Sequence, residues 1–319
     1  MSTRTLLCAA VTAIAAACAA PAAGADTTIA ADPAAREVTA LDGSVVWVSG
    51  ALGSQTLMQH DASGTRPVQG ASPARSYRSI DLGRDGAGAL VLTYVRCPTS
   101  GACVVRRDDL RGHRASFKGL APTRCALTAA PAVWRSTTAY GLLCRRSDGR
   151  TFDAGRSGVY VKQDGRSPRR LALPRTATQA GATSITRVDV RGTRVAAVAA
   201  DVYAYAFSQT TAGAGMRSFR AAVSEGDGDE RVTGMALGTT DTLWSLTASS
   251  YAGDPNSARI MRLAGTCQTW QTISNPPGPA EADGYPATSL SADGATLYLV
   301  VPGTGVVTHD YAPQQTGCA

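Results

Sequence analysis

Short runs of apolar residues, bounded by glycine and aspartate, recur along the chain. The clearest are VVWV, VAAVAA, LWSLT and LYLVV, and two less regular copies are ALVLTYV and AYGLLC. In chain order the runs begin at Val45, Ala89, Ala139, Val195, Leu243 and Leu297. Apolar, β-branched or aromatic runs of this length between turn residues are typical of strands buried on both faces. The pattern therefore predicts a series of buried β-hairpins.

A second motif, of two apolar residues, two polar residues and an aspartate, follows most of these runs. It occurs at 57–61, 104–108, 160–164 and 306–310, with half a copy at 260–262. The aspartate begins a turn because its carboxylate can accept hydrogen bonds from nearby backbone N–H groups. The whole unit recurs at intervals of roughly 40 to 60 residues, the size of a four-stranded propeller blade. We therefore predict an all-β single propeller of six four-stranded blades, with five and seven as the alternatives.

The stretch Ser291-Ala292-Asp293-Gly294-Ala295-Thr296-Leu297-Tyr298 resembles the S-x-D-G-x-x-L-Y repeat of TolB-like and WD-like bacterial β-propellers. The turns at Asp42-Gly43 and Asp85-Gly86 keep the Asp-Gly pair of that repeat. The resemblance implies an exported ring of six or seven blades, which binds a ligand or partner more often than it catalyses a reaction.

The first 25 residues resemble an export signal. They contain one cation, a short Ala-rich apolar stretch and a final Ala-Gly-Ala, so we predict that residues 1–25 are a signal peptide. Ala15-Ala16-Ala17-Cys18 is loosely similar to a lipobox, and a lipid anchor at Cys18 is the alternative. No apolar run is long enough to span a bilayer comfortably. We expect residues 26–319 to form the propeller domain of a secreted or cell-surface monomer.

Six cysteines remain outside the predicted signal peptide, and an even number in an exported chain favours disulfides. Spacing alone leaves all the pairings open, and a zinc site is disfavoured because no C-x-x-C motif occurs and only three histidines are present. When the cysteines are placed on the predicted blades, three bridges follow. They are Cys97–Cys103, Cys125–Cys144 and Cys267–Cys318. The segment from Thr27 to Ala31 is expected to add an outer strand to the final blade.

Two aspartates are the candidates for catalysis. Asp81 and Asp189 lie in or near predicted innermost strands, which places them close to the central channel. Converging carboxyl groups can perform acid/base chemistry on glycans. The chain has no G-x-S-x-G motif to indicate a serine nucleophile. A glycan-acting hydrolase or lyase is therefore the alternative to a binding protein.

The densest acidic stretch, at 224–230, alternates carboxylates with glycines. Asp227 and Asp229 are its candidate Ca²⁺ ligands, although the stretch lacks the spacing of an EF-hand loop. A solvated loop between blades is the competing interpretation. We expect no other cofactor.

Charge is distributed unevenly along the chain. Residues 96–175 carry a net charge of +12, from 17 basic and 5 acidic residues, within a chain whose net charge is +7. Arginine supplies nearly all of the positive charge, and its guanidinium group binds phosphates and carboxylates through paired hydrogen bonds. The candidate anion contacts are Arg106, Arg107, Arg145 and Arg146. The competing interpretation is that they only keep the surface soluble.

The sequence therefore favours an exported, non-catalytic binding propeller that recognises an envelope polyanion or a protein partner through loops on one face. The candidate loops are 145–157, 249–257 and 281–285. Nucleic acid is disfavoured as the partner, because no basic motif is interleaved with aromatic residues.

Overall fold

A computed structural model describes residues 26–117, 119–182, 184–225, 228–238, 242–249, 257–274 and 289–318. The predicted signal peptide, Cys18, Asp227 and the loop 281–285 lie outside these residues. The described chain is all-β apart from one short helix, α1 (Arg175–Gln179). The all-β prediction is confirmed.

The strands of the first half follow one another as antiparallel meanders. They are β1 (Thr27–Ala30), β2 (Ala35–Leu41), β3 (Ser44–Ser49), β4 (Thr56–Asp61), β5 (Gly64–Pro67), β6 (Ser76–Arg84), β7 (Leu90–Cys97), β8 (Val104–Asp108), β9 (Arg114–Ser116), β10 (Cys125–Leu127), β11 (Ala132–Trp134), β12 (Thr137–Cys144), β13 (Gly158–Gln163) and β14 (Arg169–Arg170).

The second half continues the same arrangement. Its strands are β15 (Ser184–Arg191), β16 (Arg194–Ala200), β17 (Tyr203–Thr210), β18 (Arg217–Glu225), β19 (Gly228–Leu237), β20 (Leu243–Ser249), β21 (Ser257–Ala264), β22 (Cys267–Ser274), β23 (Ser289–Asp293), β24 (Thr296–Val301), β25 (Gly305–His309) and β26 (Gln315–Thr316).

Hydrogen bonding joins these strands into four sheets, so the prediction of six separate four-stranded blades is wrong at the level of the sheets. Two sheets have four strands (β2–β5, and β23–β25 with β1) and two have nine. In one nine-stranded sheet, the inner strands β6 and β11 pair in parallel where Trp134 lies opposite Arg84. In the other, β18 continues into β19 through a hairpin that pairs Ser224 with Asp229. At the first point two neighbouring meanders lie so close that their ladders merge, and at the second the antiparallel pairing of β18 with β19 carries the ladder from one meander into the next.

The arrangement is propeller-like. The strands nearest the axis are β2, β6, β11, β15, β19 and β23, here called the inner strands. Each contacts the next, and β23 contacts β2 to complete the ring. The ring is also closed by β1, which pairs with β25 with Thr27 opposite Thr308. This confirms the predicted outer strand from the N-terminal segment.

The side chains of the inner strands hold neighbouring strands together. Thr39, Asp189 and Ser291 occupy the same place in their strands, two residues before the last pair of the hairpin ladder. Each accepts a hydrogen bond from a backbone N–H of the next inner strand. The donors are Leu82 at 2.8 Å, Leu237 at 2.7 Å and Ala40 at 2.9 Å, respectively. These bonds satisfy buried N–H groups that have no neighbouring strand on the axial side.

The three predicted disulfides are confirmed. Cys97–Cys103 closes the loop between β7 and β8, and Cys125–Cys144 joins a register pair of β10 and β12. Cys267–Cys318 fastens the C-terminal segment, whose strand β26 pairs with β22. Disulfides of this number suggest an extracellular or periplasmic protein.

Candidate functional site

One end of the ring opens into a cavity of 690 Å³, here called the mouth cavity. This volume lies within the range of ligand-binding pockets, about 300–1,000 Å³. Its wall is formed mainly by residues at the beginnings of the inner strands. The lining residues are Arg36, Glu37, Arg78, Ser79, Ala126, Leu127, Thr128, Leu143, 184–187, Val198, 200–202, Ala204, 230–233 and Ser289.

Irregular pairing of the inner strands aims polar residues into this cavity. Register shifts interrupt β2, β6, β15 and β19, in each case close to the cavity end of the strand. Among the residues skipped by the ladders are Arg36, Glu37, Ser79, Thr186 and Thr233, and all five line the cavity. A β-bulge redirects a side chain that a regular strand would point elsewhere. The polar wall is thus a consequence of the bulges.

The mouth cavity is rich in charge. Four arginines line it, Arg36, Arg78, Arg187 and Arg231, against the carboxylates of Glu37, Asp201 and Glu230. Two of the carboxylates are paired: Glu37 lies 3.4 Å from Arg187, and Glu230 lies 3.2 Å from Arg259. The excess of guanidinium groups suits a ligand that carries carboxylate, phosphate or sulfate groups.

Two arginines of β15 reach across the ring to the opposite inner strand, β2. Arg187 pairs with Glu37, and Arg191 donates to the carbonyl oxygen of Ala40 at 2.9 Å. Asp189 stands between these two arginines in the sequence of β15. Side chains two residues apart on a strand share a face, so Asp189 points to the same side of β15 as these arginines.

The structure brings the two catalytic candidates together. Burial raises the pKa of Asp81 well above its usual value, and the neighbouring Asp189 carboxylate raises it further, whereas Arg191 lowers it. Burial also raises the pKa of Asp189, opposed by Arg191 and by the backbone N–H groups of Leu237 and Val190. Neither aspartate lines the mouth cavity. Their catalytic role stays a prediction, and Asp189 accepts the backbone hydrogen bond that joins β15 to β19.

This carboxyl pair makes a prediction about pH and stability. A raised pKa in the folded state means that the stability contributed by Asp81 is complete below its unfolded value of 3.8, and is lost as pH rises through the folded value. Asp81→Asn should therefore leave stability unchanged at the acid end and raise the free energy of unfolding by about 1 kcal/mol at neutral pH. Urea unfolding of both proteins across this pH range measures the difference. Equal stability at every pH would show that neither burial nor the Asp189 carboxylate penalises the ionised form of Asp81 in the folded protein.

The four predicted anion-binding arginines make local contacts. Arg106 and Arg107 are consecutive residues of β8, where Arg106 donates to Ser116 and Arg107 lies 3.8 Å from Asp85. Arg145 donates to the carbonyl oxygen of Arg150, within the loop that follows β12. Arg145 and Arg146 are exposed at the cavity end, whereas Arg106 and Arg107 are half-buried in the strand. None of the four lines the mouth cavity.

The loops at the cavity end also carry exposed apolar residues. In the described part of the chain, the exposed large hydrophobic side chains are Leu52, Phe152 and Val202. Leu52 follows β3, Phe152 lies in the predicted binding loop 145–157, and Val202 joins β16 to β17. All three connections leave their strands at the end where the inner strands begin. The predicted loop 249–257 is described only at its two ends.

Among the described residues, no group of three or more histidine, cysteine, aspartate or glutamate side chains is arranged so that it could hold a metal ion. The backbone of Asp229 belongs to β19, and Asp227 is outside the described residues. His309 contacts Asp26 at 2.8 Å and Gln271 at 3.2 Å, so it helps to attach the N-terminal segment. The described helix is too short to cross a membrane.

The arginines of the mouth cavity were missed by sequence reasoning. The apolar-Thr-x-apolar stretches of the inner strands lie close to three of them: Arg231 immediately precedes one stretch, Arg36 lies two residues before another, and Arg187 lies within a third. Their placement beside these stretches was the signal in the sequence that could have identified them as cavity residues. The bulges that turn these residues toward the axis leave no comparable mark in the sequence.

Comparison with solved structures finds distant likenesses, one of them to a β-propeller domain. The Hadza microbial sialidase Hz136 is 11% identical with a TM-score of 0.50, over 88% of this chain and 66% of that one. The SapL1 lectin, solved with alpha methyl fucoside, is 10% identical with a TM-score of 0.46, over 91% and 97% of the two chains. The β-propeller domain of the Trilobed protease from Pyrococcus furiosus is 10% identical with a TM-score of 0.44, over 88% and 81%.

At these identities the likeness concerns the fold alone, and the chain spans just under two thirds of the sialidase. No protein-family model and no curated protein matches the sequence. The class that fold and disulfides define is a disulfide-bonded β-propeller. Membership of the TolB-like family stays a prediction.

Proposed function

We propose that this protein is an exported binding propeller whose mouth cavity takes an anionic ligand, such as a uronic-acid, phosphate or sulfate group of an envelope polymer. The observation that carries the proposal is the excess of guanidinium groups over carboxylates in a cavity of 690 Å³. Bulges in four inner strands support it, because ladder irregularities cluster beside binding sites.

The exposed apolar residues around the mouth cavity also favour this end of the ring as the binding face. Exposed Leu52, Phe152 and Val202 lie in loops at this end, and exposed apolar residues there suit contact with the less polar faces of a polymer or a partner.

We also propose that each nine-stranded sheet consists of two joined blades. The ring would then hold six blades, of the size that the repeats indicate.

Binding to polygalacturonate, with neutral dextran as the comparison, tests the proposal. Arg78→Gln combined with Arg231→Gln should weaken binding at low salt by about tenfold or more, because each change removes a charge-assisted hydrogen bond. High salt should also weaken binding by the wild type, because salt screens the attraction between the guanidinium groups and the charges of the polymer. Titration calorimetry measures both effects.

The control changes Arg106, Arg107, Arg145 and Arg146 to Gln, which removes twice as many charges without touching the mouth cavity. We expect this variant to bind nearly as well as the wild type. Loss of binding in the control alone would overturn the proposal and return the site to the basic sector at 96–175. Absence of salt-sensitive binding in the wild type to polygalacturonate, dextran sulfate and a phosphate polymer would reject an anion site altogether.

A glycan-acting hydrolase is the second candidate, favoured by the interacting carboxyl groups of Asp81 and Asp189. Our proposal expects no release of reducing ends from glycans by the wild type. Release that disappears in Asp81→Asn, a variant expected to fold, would overturn the non-catalytic proposal.

A further inference from the structure

Arg78 stands beside a bulge at the mouth cavity. The β6 ladder pairs Arg78 with Val95 and resumes at Asp81 with Thr93, so two residues of β6, Ser79 and Ile80, lie opposite a single residue of β7. One of them, Ser79, has a left-handed φ of +52°. A non-glycine residue in this conformation is strained, and such strain persists where the surroundings fix it.

The Cys97–Cys103 disulfide lies against the Arg78 side chain. The guanidinium Nη2 atom is 3.2 Å from the Sγ atom of Cys97 and 3.8 Å from that of Cys103. Sulfur is a weak, uncharged acceptor, so the contact leaves the charge of the guanidinium unneutralised. The Cys97 side chain is fully buried at the end of β7, while Cys103 is exposed.

We infer that the Cys97–Cys103 disulfide is a positioning element for ligand binding, which holds the Arg78 guanidinium at the mouth cavity. This inference rests on the proposed function. The bridge closes a short loop over the start of β6, and closing a loop removes many of its conformations. With the bridge open, the loop and the Arg78 side chain become less restricted, and ordering them again upon binding weakens the affinity.

A double-mutant cycle tests the inference. It compares wild type, Arg78→Gln, Cys97→Ser with Cys103→Ser, and the triple variant for affinity to polygalacturonate. We expect opening the bridge to weaken binding several-fold, in the same direction as Arg78→Gln. In the Arg78→Gln background, opening the bridge should have no further effect, because the residue that it positions is already gone.

Removing Cys267–Cys318 by serine substitution is the control. That bridge joins β22 to the C-terminal segment, and neither cysteine lines the mouth cavity. We expect its removal to lower the melting temperature and leave the affinity of the folded protein unchanged. Equal loss of affinity from opening either bridge would overturn the inference, because it would show a general loosening of the protein.

Reduction of the folded wild type provides a second route if the Cys97→Ser, Cys103→Ser variant does not fold. A mild reductant followed by alkylation opens exposed bridges, and mass spectrometry identifies protein in which only Cys97 and Cys103 are modified. Unchanged affinity in that fraction would overturn the inference, and reduced affinity would support it. If the wild type binds no anionic polymer, the proposed function is refuted. If it binds and opening the Cys97–Cys103 bridge leaves its affinity unchanged, only this inference is refuted.

Discussion

Gly83→Ala should lower the free energy of unfolding by about 3 kcal/mol, or the melting temperature by about 5–10 °C. A Cβ atom at Gly83 would lie 1.8 Å from the carbonyl oxygen of Val133 and 2.9 Å from its carbonyl carbon. Both clashes are with backbone, which cannot rotate away. The inner strands β6 and β11 pair immediately beside this point, where the backbone N–H of Arg135 donates to Arg84 at 2.7 Å.

Gly86→Ala is the matched control, because it lies in the turn after the same strand and its added Cβ would meet no atom within 4 Å. Thermal unfolding followed by circular dichroism compares the two variants with the wild type. We expect Gly86→Ala to stay within about 0.5 kcal/mol of the wild type. Similar melting temperatures for Gly83→Ala and Gly86→Ala would mean that β6 and β11 are not in the close contact that merges their sheets.

Gly305→Ala should release the N-terminal strand from the ring. Gly305 has a φ of +128°, and its added Cβ would lie 2.1 Å from the carbonyl oxygen of Ala30 and 2.5 Å from the backbone nitrogen of Asp32. Relief of these clashes requires β1 to leave β25, which removes the ladder that closes the ring. We expect a loss of about 2–3 kcal/mol and faster amide exchange in β1.

Gly303→Ala is the control that separates the effect of the steric clash at Gly305 from the effect of backbone strain. Gly303 also has a positive φ, +76°, but no atom lies within 4 Å of its added Cβ. It should cost about 1 kcal/mol and leave amide exchange in β1 unchanged. Hydrogen exchange measured by mass spectrometry on both variants distinguishes the outcomes. Normal protection of β1 in Gly305→Ala would contradict the closure of the ring by this strand.

The serine and aspartate repeat that suggested a propeller has a physical explanation in the structure. Ser289, Ser291 and Asp293 alternate along β23, so their side chains point to the same side of the strand. They accept hydrogen bonds from the backbone N–H groups of Val38, Ala40 and Gly43, respectively. The motif is well preserved where β23 must hold the first inner strand, β2. Asp189 occupies the equivalent position of β15, and its carboxylate likewise accepts a hydrogen bond from the backbone of the next inner strand, at Leu237.

The sequence by itself determined the strands, the disulfides and the closing N-terminal strand. The signals that specify a strand, namely the pattern of apolar residues and the turn residues at its ends, lie within a few residues of one another. A run such as VVWV from Val45 therefore predicts the buried strand β3 directly. Cys125 and Cys144 could be paired because the repeats place both on neighbouring strands of one hairpin unit. These features depend on local geometry that recurs in each repeat.

Only the tertiary structure decided how the repeats join and which arginines meet. Merging of β6 with β11 depends on the absence of a side chain at Gly83 facing Val133, which lies fifty residues away. Arg36, Arg78, Arg187 and Arg231 come together because bulges in separate strands turn toward one axis. The four arginines predicted from the charge-rich segment 96–175 do not line this cavity, since charge along a chain does not specify distance in space. Close approach of segments remote in sequence is set by packing and register, and neither is encoded within a single repeat.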